Sequence, residues 1–202
     1  MKLQYKTRKG VKNRGVIVLL HGLGSSEDDL LSLSEYIPSD WDVICFRAPF
    51  AYGPGFSWFH IDWTDAGMRI DVDQRAQSLS LIVSELNKLK TDYKRVILGG
   101  FSQGAVMSLA LLCQDASLAD GAMIWSGRWP ADFPVNHQLN NLPCIVQHGI
   151  YDEVLPVEGG RDIRDQLENL GATVEYHEYA MEHTISAESL RDALAWLKQQ
   201  VR

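Results

Sequence analysis

Residues 100–104 read Gly-Phe-Ser-Gln-Gly, which fits the G-x-S-x-G pattern of a nucleophilic serine. In that pattern the serine lies on a tight turn between a strand and a helix, and side chains at the glycine positions would collide with neighbouring segments. A β-branched apolar run at 95–98 precedes the turn, and an apolar run at 105–113 follows it. Backbone N–H groups at the start of that helix would face developing negative charge. We therefore predict Ser102 as a nucleophile; an ordinary serine in a βα turn is the alternative.

A serine hydroxyl is a weak nucleophile near neutral pH and needs an adjacent base that is itself oriented by a third group. With a G-x-S-x-G serine, the acid and then the histidine follow along the chain. The histidines after Ser102 are His137, His148, His177 and His183. Only His183 lies between the last predicted strand and the last predicted helix, at the carboxyl edge of the sheet where open α/β folds bind ligands. We predict His183 as the base, and a purely structural loop histidine is the alternative.

An acidic residue should follow another strand end between Ser102 and His183. Asp152 does so, in the stretch Gln-His-Gly-Ile-Tyr-Asp at 147–152. Its expected role is to hold the tautomer of His183 and to stabilise the imidazolium without taking the proton. Glu153 is the local rival, and a turn or helix-capping aspartate is the other alternative.

The developing oxyanion should be held by the N–H of the residue after the nucleophile, Gln103, and by an N–H from the loop after an early strand. His-Gly-Leu-Gly at 21–24 ends such a strand, and we select the N–H of Leu23. One such donor is typically worth about 2.7–4 kcal/mol of transition-state stabilisation. We expect His21 to hold the loop by hydrogen bonding rather than to take part in catalysis.

Six short runs alternate with helical stretches along the chain, which predicts strands alternating with helices. The predicted strands are 15–20, 41–46, 95–98, 121–125, 143–147 and 172–179. The first five are largely apolar, as in a mostly parallel sheet covered by helices on both faces, whereas the sixth alternates and is expected near a sheet edge. Asp71 is a predicted helix N-cap. Without linkers or repeats, the pattern predicts one α/β domain over residues 1–202.

Composition disfavours several classes of partner. The 202 residues carry a net charge of −7 and no basic cluster, which argues against nucleic acid and anionic membranes as partners. No apolar run approaches a membrane span, and none follows the basic N-terminus as in a signal peptide. Cys45, Cys113 and Cys144 form no disulfide framework and lie in apolar runs, so we expect them in the core. A cytoplasmic protein without stable membrane insertion is the expectation.

The stretch 48–67 fits neither period and combines aromatic residues with glycine and proline; we call it the aromatic loop. Connections of this length are often binding loops or lids. Trp58 and Phe59 within it are candidates for a substrate wall, with loop packing and a homodimer interface as alternatives. His60 and Asp62 could offer two metal ligands, but no third residue has matching spacing, so we expect no metal.

Five short motifs occur in one order along the chain. They are His-Gly-Leu-Gly at 21–24, Ser-Trp-Phe at 57–59, Gly-Phe-Ser-Gln-Gly at 100–104, His-Gly-x-x-Asp-x-x-Leu-Pro at 148–156 and Met-x-His at 181–183. Together they resemble the phospholipase/carboxylesterase family, which includes acyl-protein thioesterases and lysophospholipases. The Ser-Trp-Phe block makes this resemblance much more specific than G-x-S-x-G alone.

The resemblance implies an α/β-hydrolase fold with a minimal or absent cap, no cofactor or metal, and hydrolysis of carboxylic esters or thioesters. It assigns Ser102, Asp152 and His183 to the catalytic triad. It assigns Leu23 and Gln103 to the oxyanion hole, and Trp58 and Phe59 to the wall that contacts the acyl chain. The chain departs from the family pattern at Ser25 and Ser26, at 50–56 and at His60. These departures lie in the substrate loops and leave the triad unchanged.

The leading hypothesis is a serine hydrolase that cleaves small-molecule carboxylic esters, thioesters or lysophospholipids through an acyl-enzyme. One alternative is a dienelactone-like or peptidase-like α/β-hydrolase, although a dienelactone-type enzyme would carry cysteine at the position of Ser102. The other is a ligand-binding protein that kept the fold and lost catalysis. Acyl length, the choice of ester or thioester, and the oligomeric state are left open by the sequence.

Overall fold

The computed structural model describes residues 2–11, 14–64, 67–135 and 137–200. Within them, eleven strands and five α-helices form, labelled β1–β11 and α1–α5 in chain order. The strands are Gln4–Arg8, Val16–Leu20, Asp42–Arg47, Phe50–Tyr52, Gly55–Ser57, Ile61–Thr64, Gly67–Ile70, Val96–Phe101, Gly121–Trp125, Pro143–Gly149 and Thr173–Tyr179. The helices are Glu27–Leu31, Val72–Asp92, Gln103–Gln114, Glu158–Asn169 and Ala187–Gln199.

Seven strands form the central sheet, in the order β1-β3-β2-β8-β9-β10-β11. Every neighbouring pair is parallel except β1–β3, so the predicted mostly parallel sheet is confirmed. The alternating strand β11 lies at one edge, as expected. The sequence prediction missed β1 at the other edge, because this strand is polar and mostly exposed and therefore lacks an apolar run.

Helices cover both faces of the sheet because successive strand residues point to opposite sides. In β2, Val16 and Val18 belong to a core cluster with residues of α2, α3 and α4, whereas Ile17 and Leu19 belong to a second cluster with residues of α1 and α5. Helix α3 is buried along nearly its whole length, which explains its apolar sequence. Asp71 caps α2 as predicted, since its carboxylate accepts a hydrogen bond from the N–H of Gln74 at 2.9 Å.

The aromatic loop and the three residues after it contain two antiparallel strand pairs, the hairpin β4–β5 and the pair β6–β7, which the sequence prediction missed. The first hairpin extends the turn after β2: Gly24 N donates to Phe56 O, and Phe56 N donates to Ser25 O, both at 2.8 Å. Gly55 is required here because a Cβ atom would lie 2.0 Å from the carbonyl oxygen of Gly24. The loop is therefore built onto the carboxyl edge of the sheet.

The three cysteines are free and buried, which confirms their predicted place in the core. Burial raises the pKa of each thiol to about 12, so none is a ready nucleophile. In the part of the chain that the structure describes, no helix combines the length and apolar character needed to cross a membrane.

Candidate active site

Ser102 lies on the turn between β8 and α3 in a backbone conformation that side chains rarely adopt, with φ 55° and ψ −115°. Such a conformation costs on the order of 1–3 kcal/mol and persists only where its surroundings enforce it. They do so here because both flanking glycines are packed against backbone. A Cβ atom at Gly100 would lie 2.2 Å from the oxygen of Gly104, and one at Gly104 would lie 1.9 Å from the oxygen of Leu20. The turn thus has the tight geometry that the glycine pattern predicts.

Asp152 and His183, selected from two different strand ends, are joined by a hydrogen bond of 2.6 Å from His183 Nδ1 to Asp152 Oδ2. The other carboxylate oxygen of Asp152 accepts from the N–H groups of Val154 and Leu155 at 2.9 and 2.8 Å. These hydrogen bonds hold the carboxylate in one orientation. Asp152 is also buried, with only 6% of its surface exposed. Because Nδ1 of His183 donates to this carboxylate, Nε2 is left as the basic nitrogen.

His148 stabilises the loop that carries Asp152, the predicted acid. Its buried ring donates from Nε2 to the carbonyl oxygen of Leu155 at 2.7 Å, and the same nitrogen lies 3.4 Å from Asp152 Oδ2. Glu153, the local rival for the acid, is exposed. His137 bonds the carbonyl of Leu112, and His177 pairs with Glu175 on an edge strand, so neither approaches the His183–Asp152 pair.

Ser102 and His183 open into one cleft of about 270 Å³. The ring of Phe101 packs on the imidazole of His183, with 4.8 Å between ring centroids. Within the described residues, neither Ser102 Oγ nor His183 Nε2 has a hydrogen-bond partner, and no bond joins the two. Catalytic hydrogen bonds are often long before substrate binds.

Leu23 and Gln103, the predicted oxyanion-hole residues, line the same cleft. Gln103 is the first residue of α3, so its N–H has no partner inside the helix. Neither backbone N–H donates to a described residue. The cleft that holds the serine is therefore lined by two residues whose backbone N–H groups have no partner among the described residues.

The side chain of Gln103 has a second role, which no sequence motif indicates. It is buried, its Oε1 accepts from Trp58 N at 2.9 Å, and its Nε2 donates to Phe59 O at 2.7 Å. Gln103 thus lines the cleft and also fastens the aromatic loop to the turn that carries Ser102.

The structure separates the two predicted wall residues. Phe59 lines the cleft, whereas Trp58 is fully buried and does not. The indole N–H of Trp58 donates to the carbonyl of His21 at 2.9 Å, which satisfies its polar end inside the core. The expectation of a substrate wall at Trp58 is therefore replaced by a packing role, the alternative considered from the sequence.

His21 holds the turn after β2, the structural role expected for it. Its Nδ1 donates to Gly22 O at 2.7 Å, and its Nε2 accepts from Ala48 N at 3.1 Å. Burial lowers the pKa of this imidazole, which matches a ring that accepts a hydrogen bond and stays neutral.

No group of three or more histidine, cysteine, aspartate or glutamate side chains in the described residues could hold a metal ion. The ring of His60, one of the two ligands weighed from the sequence, instead contacts Ala51 O and the side-chain amide of Gln74.

Arg128 also lines the cleft, and sequence reasoning did not select it. It belongs to no motif used above. Its position three residues after the end of β9, at the carboxyl edge of a parallel sheet, is the signal that could have found it.

The mostly parallel sheet, helices on both faces and a serine at the strained turn after β8 define an α/β-hydrolase. The phospholipase/carboxylesterase family model matches residues 6–201, so the chain belongs to this family. It is a hydrolase of the carboxylesterase and acyl-protein thioesterase type.

Individual relatives align with this chain over nearly their full lengths. Acyl-protein thioesterase 1 of Kluyveromyces lactis is 26% identical over 94% of this chain and 93% of its own. The crystal structure of esterase PE8 has a TM-score of 0.81 at 26% identity, covering 98% of this chain and 99% of its own. The carboxylesterase of Bacillus cereus has a TM-score of 0.87 at 21% identity, covering 98% and 94% of the two chains, and shows the shared fold.

Proposed function

We propose that this hydrolase cleaves carboxylic esters through an acyl-enzyme on Ser102, with His183 as general base and Asp152 as the residue that orients it. The observation that carries the proposal is the 2.6 Å hydrogen bond between His183 and Asp152, made at the cleft that His183 shares with Ser102. A serine held at a strained turn, beside an imidazole already oriented by a buried carboxylate, is the arrangement that nucleophilic acyl transfer requires.

The reaction follows from the free atoms of each group. His183 Nε2 takes the proton of Ser102 Oγ as the oxygen attacks the acyl carbon, and the N–H groups of Leu23 and Gln103 receive the oxyanion. The tetrahedral intermediate collapses as His183 returns the proton to the departing alcohol or thiol. Water then attacks the acyl-enzyme with His183 again as base, which releases the acid and restores the serine.

The substrate is a small ester or thioester with an apolar body. Phe59, Ile61, Val106 and Leu155 give the cleft largely apolar walls. Relatives named acyl-protein thioesterase and carboxylesterase support acyl transfer to water as the reaction class.

The nucleophile is tested by labelling with a fluorophosphonate probe, which reacts with activated serines. We expect wild-type protein and Ser80→Ala, a change at an exposed serine of α2, to label and to hydrolyse p-nitrophenyl butyrate. Ser102→Ala should lose labelling and at least about 10³-fold in turnover. Labelling that persists in Ser102→Ala would refute the assignment. Absence of labelling and turnover in the wild type would favour the non-catalytic alternative.

A further inference from the structure

Arg128 is carried into the cleft by a rigid piece of backbone directly after β9. Ser126 N donates to Gln147 O at 2.9 Å and extends the sheet pairing past the strand end. At Gly127 a Cβ atom would lie 2.7 Å from the Cβ of Ala105, so this segment is packed against α3. Gly159 at the start of α4 lies close to the other side of this segment, because a Cβ atom there would lie 3.2 Å from Gly127 O. The arginine is therefore held on the scaffold.

Arg128 has no direct counter-ion among the residues that the structure describes. Its residue is partly buried, and its guanidinium forms no ion pair or hydrogen bond with any residue the structure describes. Asp132, an acidic residue that acts on it electrostatically, is already held through both oxygens by Arg75 at 2.9 and 2.6 Å. Burial lowers the pKa of the Arg128 guanidinium, because desolvation of the charge outweighs the attraction of the nearby Asp132 carboxylate.

The carboxylate at the active site does not provide the missing counter-charge either. Both oxygens of Asp152 are occupied, one by His183 and the other by the two backbone amides of its own loop. Among the described residues that line the cleft, Arg128 is therefore the one cation without an ion pair, and the other walls are mainly apolar. A planar guanidinium with free N–H groups matches a carboxylate, which it can bind through two parallel hydrogen bonds.

We infer that Arg128 is a specificity-determining residue that binds a carboxylate of the substrate, so the preferred substrates are small apolar esters with one carboxylate besides the scissile ester. This inference rests on the proposed function, since it assigns the substrate class of that same cleft. The carboxylate belongs either to the acyl part or to the alcohol part.

Two matched pairs of esters distinguish these cases. For the acyl part, mono-p-nitrophenyl adipate is compared with its neutral amide analogue, which has the same leaving group and nearly the same size. For the alcohol part, para-carboxyphenyl butyrate is compared with para-carbamoylphenyl butyrate. The quantity measured is the preference, meaning the ratio of kcat/KM for the charged ester to kcat/KM for its neutral analogue. A variant that folds only in part still gives a valid preference, because the concentration of active enzyme cancels.

We expect Arg128→Gln to lower the preference in one of the two pairs by roughly 10- to 100-fold, the range that a hydrogen bond to a charged group corresponds to. Arg128→Lys should retain part of the preference, since it keeps the charge but not the planar fork. The control Arg164→Gln removes the same charge from a half-buried arginine of α4 that pairs with Asp165, and should leave both preferences at the wild-type values.

The inference is overturned if Arg128→Gln keeps the wild-type preference in both pairs of esters. If that result comes with normal labelling of Ser102, the proposed function stands and only the substrate class is wrong. If the wild-type protein neither labels nor hydrolyses any of the four esters, the proposed function fails and the inference fails with it.

Discussion

Two regions border the same cleft and are held by different interactions. The turns that carry Leu23, Ser102, Asp152 and His183, which we call the edge loops, continue the backbone pairing of the central sheet. Ser102 N donates to Trp125 O at 3.0 Å, and in the loop of Asp152 the N–H groups of Ile150 and Tyr151 donate to Tyr179 O and Met181 O at 2.8 and 3.1 Å. These bonds depend on strand register and not on any one side chain.

The aromatic loop is attached to α2 and α3 mainly by side chains. Ser78 Oγ on α2 donates to Trp58 O at 2.6 Å, and Gln74 Oε1 accepts from His60 N at 2.8 Å. The side chain of Gln103 supplies the two bonds to Trp58 and Phe59 described above. A few polar residues thus decide where this wall of the cleft lies.

This difference in how the two regions are held separates the residues expected to carry out the reaction from those expected to select the substrate. Backbone pairing keeps the groups of the proposed reaction in place under many surface substitutions. The first hairpin of the aromatic loop is also joined by backbone bonds to the turn after β2, but Trp58 and Phe59 are fastened to α2 and α3 by single side chains, so one change can reposition this part of the wall. Substitutions at the edge loops should therefore act on kcat, and substitutions at the anchors of the aromatic loop should act on stability and KM.

The largest effect is expected from Asp152→Asn. An asparagine can keep the amide contacts of Val154 and Leu155, but its side-chain N–H₂ would face the imidazole of His183 and favour the wrong tautomer. We expect kcat for p-nitrophenyl butyrate to fall by roughly 10⁴-fold with little change in melting temperature. Glu153→Gln, an isosteric change at the exposed neighbour, is the control. A kcat within tenfold of the wild type would exclude an orienting role for Asp152.

Gln103→Leu should have an intermediate effect. The substitution keeps the backbone N–H at the cleft but leaves the N–H of Trp58 and the carbonyl of Phe59 buried without this partner. We expect the free energy of unfolding to fall by about 2–4 kcal/mol, together with a rise in KM as Phe59 shifts. Urea unfolding and steady-state kinetics measure the two quantities.

The same substitution at the exposed end of α3, Gln114→Leu, is the matched control and should change neither. If Gln103→Leu lowers kcat alone, with stability and KM as in the wild type, the aromatic loop does not depend on this anchor.

Most of the scaffold was predictable because its strands are buried on both faces. The predicted strand 15–20 corresponds to β2, and the alternating run 172–179 corresponds to the edge strand β11. The elements that were missed have no such signature. Strand β1 is a polar edge, and the hairpins of the aromatic loop are too short and too interrupted by glycine for a period of two to show.

The candidate site was predictable where position along the chain decides position in space. Asp152 and His183 each follow a strand, and parallel strands bring their carboxyl ends to one edge. Trp58 and Arg128 show the limit of this reasoning. Whether a loop residue faces a cleft or the core depends on contacts from distant segments, as with the carbonyl of His21 that receives the indole N–H of Trp58.

The smallest expected effect concerns pH and tests the point where the two regions meet. His21 ends β2, accepts a hydrogen bond from Ala48 N and, through its carbonyl, receives the indole of Trp58. Burial lowers the pKa of its imidazole below the ordinary value of 6.5. The unfolded chain therefore binds more protons than the folded one just below pH 6.5, so the contribution of His21 to stability is full above that pH and declines as the pH falls through it.

We expect the free energy of unfolding to decline by up to about 1.4 kcal/mol per pH unit from this group. His21→Gln, although less stable, should show a correspondingly shallower decline. Parallel curves for the two proteins in urea unfolding from pH 6.5 down to about pH 5 would show that His21 is not the group responsible.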